Sequence, residues 1–111
     1  MARRGTISVM SRTLVISSAS LESVMVPVTD VNGTVLSGLT VQMAFTTGQP
    51  TGPDWKAATW TTLTAPTRYL ATCLVGPGGT VTLADGSYEV WVKVTATPEI
   101  PVLFSGYLVV T

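Results

Sequence analysis

Residues that ordinarily carry acid–base or nucleophilic chemistry are few in this chain: six carboxylates, one thiol and no histidine. Histidine is the usual general base near neutral pH and the commonest metal ligand, so its absence narrows both possibilities from the outset. Glu22, Asp30, Asp54, Asp85, Glu89 and Glu99 are scattered, mostly at turns, where such side chains cap or solvate. No local motif presents two of them as a pair for glycoside hydrolysis. Cys73 has no companion at metal-binding spacing and no cationic neighbour in sequence, so it reads as a small hydrophobe. Residues 76–79, Gly-Pro-Gly-Gly, lack a following Lys-Ser or Lys-Thr and open no helix, which rules out a phosphate loop. The expectation is a protein that is not an enzyme and has no metal or cofactor.

What remains is the chemistry of contact. Charged residues make up 11% of the 111 positions against 46% hydrophobic, and the mean hydropathy is +0.46. A surface so short of charge either carries its solvation on Thr, Ser and Gly or is covered in use. Zero net charge argues against a protein that binds nucleic acid by neutralising phosphates. No stretch approaches the ~20 apolar residues of a membrane span, and the opening Met-Ala-Arg-Arg is not followed by the apolar run of an export signal. With one cysteine there is no internal disulfide, so packing and ladder hydrogen bonds must hold the fold.

The elements that position these groups are strands. After the turn residues Asp85 and Gly86, the chain alternates strictly: Tyr88, Val90, Val92 and Val94 on one face, Glu89, Trp91 and Lys93 on the other. A tyrosine just past such a corner can bury its ring and return its hydroxyl to upstream backbone, as in immunoglobulin-like sandwiches. Val24, Val26 and Val28 form a second inward row, with Pro27 on the opposite phase. Proline donates no ladder bond, so that strand is expected at an edge or paired on one side there. Val41, Met43 and Phe45 form a third row, and Tyr69, Ala71, Cys73 and Val75 a fourth.

Residues 47–54 read as a loop, with Pro53 opening a helical turn through Asp54, Trp55, Lys56 and Ala57. Of Trp55 and Trp60, at least one is expected to cap the core; the alternative is a hot spot for a partner protein or a sugar ring. Val81 to Leu83 is a further brief pairing segment. The last strand, residues 102–110, is apolar on both phases: Val102, Phe104, Leu108 and Val110 on one, Leu103, Tyr107 and Val109 on the other. Gly106 marks a bulge or a close approach. Both faces of such a strand need cover.

The sum is an all-β chain: an immunoglobulin-like β-sandwich of about seven to eight antiparallel strands over residues 13–111, with a small barrel as the alternative. Residues 1–12 read as a basic N-terminal extended arm, disordered as a terminus is by default, carrying three of the six positive charges and the apolar Ile7, Val9 and Met10. One alternative has this arm adding to a neighbour's sheet edge.

Four segments carry a resemblance: Asp54-Trp55 with Trp60, residues 69–80, residues 83–95 and residues 98–101, with Val15-Ile-Ser-Ser and residues 24–28 near the start. Together they resemble a family of small virion proteins of tailed bacteriophages, particularly of actinobacteria, encoded among head-to-tail assembly genes. The resemblance implies a structural role in the virion, assembled in the host cytoplasm. Its partners would be other virion proteins, whether capsid, portal/connector or tail subunits, at the neck or as decoration of the capsid surface. A homo-oligomer in the particle is expected, and the charge balance and the lack of a long apolar run leave no nucleic acid or membrane partner expected. Expected contact residues are Arg3, Arg4 and Arg12 for acidic subunit surfaces, with Trp91 and Tyr107 as anchors. The alternative is a tail-associated host-surface or carbohydrate-binding module stacking sugars on Trp55 and Trp60.

Overall fold

The computed structural model describes residues 7–33 and 35–111, and in it the odd–even rhythm of the sequence becomes nine strands in two facing sheets. One sheet holds β1 (Ile7–Val9), β3 (Glu22–Asp30), β7 (Arg68–Val75) and β6 (Thr59–Leu63), neighbours in that order and all antiparallel. The other holds β2 (Arg12–Ile16), β9 (Val102–Val110), β8 (Gly86–Thr95), β4 (Thr40–Thr46) and β5 (Lys56–Ala57), in that order. Its ladders are antiparallel except β2 on β9, which is parallel. Two separate sheets make the architecture a β-sandwich. No α-helix occurs among the described residues.

The core lies between the sheets and is built from the rows that alternation marks. Val24, Val26, Val28, Ala71, Cys73 and Val75 come from one sheet; Val41, Met43, Phe45, Val90, Val92, Val94, Leu108 and Val110 come from the other. Each of the larger side chains contributes roughly 1.5–3 kcal/mol by leaving water. Leu36, in the connection before β4, is also fully buried. Nothing periodic surrounds Leu36, so its burial follows from the path of the loop.

Residues 7–12 of the expected arm belong to the sandwich. β1 pairs with β3, and Arg12 opens β2 on the opposite sheet, so the chain crosses between layers at Met10 and Ser11. Pro27 explains where. β1 ends at Val9 opposite Val28, and the next residue's N–H, that of Met10, donates to Pro27 O at 3.2 Å. On a strand a residue's N–H and C=O leave on the same side, so the donor that Pro27 lacks is the one that would have continued the ladder to β1. β3 is therefore interior to its sheet, and Pro27 is paired with Leu70 of β7 alone.

Two expectations are corrected, and the brief pairing expected at residues 81–83 narrows to a single bridge. The helical turn is a 3₁₀ turn at Gly52–Asp54, one step earlier than Pro53 suggested. Asp54 accepts from Thr51 N (2.8 Å) and Thr51 Oγ1 (3.1 Å), which closes the turn there, and Lys56 and Ala57 extend to pair with β4 as β5. Residues 81–83 form no strand, only a bridge from Val81 to Val75, because the Gly-Pro-Gly-Gly loop folds back at once.

The second correction is the phase of β9. Val90 faces Gly106 but Trp91 faces Phe104, so Ser105 is an extra residue and the ladder has a bulge. The bulge reverses the odd–even phase. Leu103, opposite inward Val92, joins the side of Leu108 and Val110, while Val102 and Phe104 join Tyr107 outside. Gly106 is required by the same feature: its φ is +110°, and a Cβ there would lie 2.0 Å from Arg12 O on β2.

Candidate interaction face

The corner before β8 has the geometry its residues suggest. Gly86 has a φ of +153°, and Tyr88 packs its ring against the core while Oη donates to Ala84 O at 2.7 Å. This bond fixes where β8 begins and hence which residues face outward along it. Val90, Val92 and Val94 go in; Glu89, Trp91 and Lys93 go out.

On that outer face the aromatic side chains touch. The Trp91 and Phe104 rings lie 5.3 Å apart at 59°, and Phe104 meets Tyr107 edge-on at 5.4 Å. Phe104 is 39% exposed, Tyr107 47% and Val102 42%, and Val15 of β2 continues the strip beside Val109. Ala44, opposite Trp91, is fully buried although it lies on the outward phase, as a small residue is when larger neighbours close over it. Trp91 Nε1–H donates to Glu89 Oε1 at 3.3 Å, and Lys93 Nζ sits 4.6 Å over the Trp55 ring. The result is an apolar ridge flanked by two opposite charges, Glu89 bonded to Trp91 and Lys93 resting on Trp55.

The outer face of the other sheet is different in kind. Ser8, Thr29, Thr61 and Thr72 line it, with hydroxyl pairs Ser8–Thr29 at 3.0 Å and Thr61–Thr72 at 2.8 Å. These hydroxyls share the face with the apolar Met25, Pro27, Leu70 and Leu74, which stand on the same outward rows. Beside it a groove of about 740 Å³ is lined by Met10, Pro27, Arg68 and Leu70, among others.

Trp91 and Tyr107 thus stand together through Phe104, a residue that unbroken alternation puts on the opposite face from Tyr107. Gly106 was the available signal. Arg12 is not on this face: its guanidinium donates to Met25 O at 2.8 Å, tying β2 to β3 across the edge of the sandwich. Arg3 and Arg4 lie outside the described residues. Trp60 is committed to the core, with Nε1–H donating to Leu39 O at 2.8 Å and Tyr69 edge-on at 6.3 Å, while Trp55 carries Lys93. The two indoles have separate partners.

For catalysis the described residues offer little. No three His, Cys, Asp or Glu side chains gather among them. Asp30 accepts from Asn32 N at 3.0 Å, the turn role its sequence position suggests. Cys73 is buried, and burial pushes its thiol pKa above the ordinary value of 9.0, away from the thiolate a nucleophile needs. Comparison with known protein families and with curated proteins returns no match.

Proposed function

We propose that this chain is a non-enzymatic structural protein of a tailed-bacteriophage particle, an immunoglobulin-like module that binds other virion subunits at the neck or on the capsid surface. The observation that carries the contact role is the outer face of the five-stranded sheet, where Trp91, Phe104, Tyr107 and Val102 form one exposed apolar ridge on a chain with 11% charged residues. Clustered aromatic groups of this kind anchor protein–protein interfaces. Two features support the immunoglobulin-like reading. The strand order β1-β3-β7-β6 against β9-β8-β4 corresponds to the ABED and GFC sheets, and Tyr88 bonds Ala84 O as a tyrosine corner does. The virion setting rests on the resemblance of the segments around Trp60, Cys73 and Trp91. In a symmetric particle many copies turn weak contacts into firm attachment.

Quantitative mass spectrometry of purified particles tests the reading. On the order of a dozen copies would indicate a neck ring and on the order of hundreds the shell, by the symmetry of each; absence from particles would overturn it. Sugar stacking on Trp55 and Trp60 together has less support, because Trp60 is packed against the core.

A further inference from the structure

Register fixes how the outward side chains of the central strands line up across the sheet. Glu89 stands in one row with Thr46 and Tyr107, Trp91 in the next with Ala44 and Phe104, and Lys93 in the third with Gln42 and Val102. We propose that this face packs on the same face of a second copy of the chain, about a two-fold axis that lies between the two sheets, crosses β8 at right angles and passes over Trp91. The proposal deepens the reading of this face as a contact surface and names its occupant.

Such an axis runs β8 antiparallel to its own copy and exchanges the outer rows. Glu89 then meets Lys93 of the second copy, Tyr107 meets Val102 and Thr46 meets Gln42, while the row of Ala44, Trp91 and Phe104 meets itself. Charge faces opposite charge, apolar faces apolar, and polar faces polar. Self-complementarity of this kind is what a two-fold interface demands. The other face-to-face arrangement, with the axis along β8, would stack Glu89 on Glu89 and Lys93 on Lys93, and like charges so placed oppose association.

Both charged groups are already held in position. Glu89 is fixed by Trp91 Nε1–H and Lys93 by the Trp55 ring, so little side-chain freedom is lost when they pair. The two charged rows lie only two residues from the axis, ~7 Å along the strand, so the ~30° crossing of packed sheets leaves them within side-chain reach. The copies carry six positive and six negative charges each, so no net repulsion keeps them apart.

Sedimentation velocity from micromolar to millimolar concentration, on wild type, Glu89→Lys and Lys93→Glu, tests this geometry, with a thermal melt confirming that each variant is folded. The expected result is a concentration-dependent wild-type dimer, with each single reversal weakening it by at least about 10-fold. Mixed together, the two reversed proteins should associate with each other about as well as wild type, because every Glu–Lys contact is restored in the mixed pair. A wild type that stays monomeric, single reversals that dimerise like wild type, or a mixture that fails to associate would each overturn the proposal. Counting the wild type in purified particles separates this from the virion reading. A monomer found in particles ends the dimer alone, and a dimer absent from particles ends the virion role alone.

Discussion

Tyr88, Gly106 and Cys73 each tie a single side chain, or its absence, to a measurable property. Tyr88→Phe keeps the packed ring and removes only the bond to Ala84 O; the expected loss is about 1 kcal/mol in urea unfolding. An unchanged unfolding midpoint would mean that the corner does not hold β8 in place. Gly106→Ala meets Arg12 O at 2.0 Å with φ at +110°, so the β2–β9 ladder must open or the backbone must move. The expected loss is roughly 2–4 kcal/mol, read by the same method. At Cys73 burial raises the pKa, so the folded state holds the proton more tightly than the unfolded chain. Its contribution is complete below the ordinary thiol value of 9.0 and is lost as pH rises through the higher folded value, so stability should fall in alkali. Cys73→Ala, compared with wild type across that range, should remove part of this slope, and thiol reagents should label wild type at neutral pH only after unfolding.

At the scale of elements, the inward rows of β3, β4, β7 and β8 were legible because each alternates without interruption between turn residues. Alternation fails at a bulge: one extra residue, Ser105, moved Val102 and Phe104 to the other face, and only the glycine beside it marked the place. β2 shows in the β-branched run of residues 13–18, whereas β1 was hidden because three residues carry too few alternations to separate a strand from an arm. The candidate face was half visible: Trp91 stood on a polar phase and Tyr107 on a doubly apolar strand, but Phe104, which joins them, depends on the bulge. β2 also closes the edge of β9. Truncation through Ile16 removes the half-buried Leu14 and the buried Ile16 and leaves that edge unpaired. The truncated protein should lose on the order of 3 kcal/mol and aggregate on concentration, seen by light scattering. A truncated protein that scattered no more light than wild type and kept its melting temperature would contradict the role given to β2.

The molecule as a whole is a sandwich with two unlike outer faces, one mixing paired hydroxyls with aliphatic side chains and one carrying an aromatic ridge between two opposite charges. On the proposed reading the aromatic face is the one that is covered in use, which is how a chain with 11% charged residues would keep its ridge from water. Trp91→Ala should leave the core rows and the strand ladders intact and remove the centre of the ridge, so circular dichroism should be unchanged while incorporation into particles falls. Hydroxyl-radical footprinting of the protein diluted to the monomer and of the assembled protein tests the covered face most directly, since it reads side-chain exposure at each position. Assembly should protect Trp91, Phe104 and Tyr107 and leave Met25 and Leu74, on the outer side of the other sheet, as reactive as before. Equal oxidation of the three aromatic residues in both states, or protection confined to the outer face of the other sheet, would contradict it.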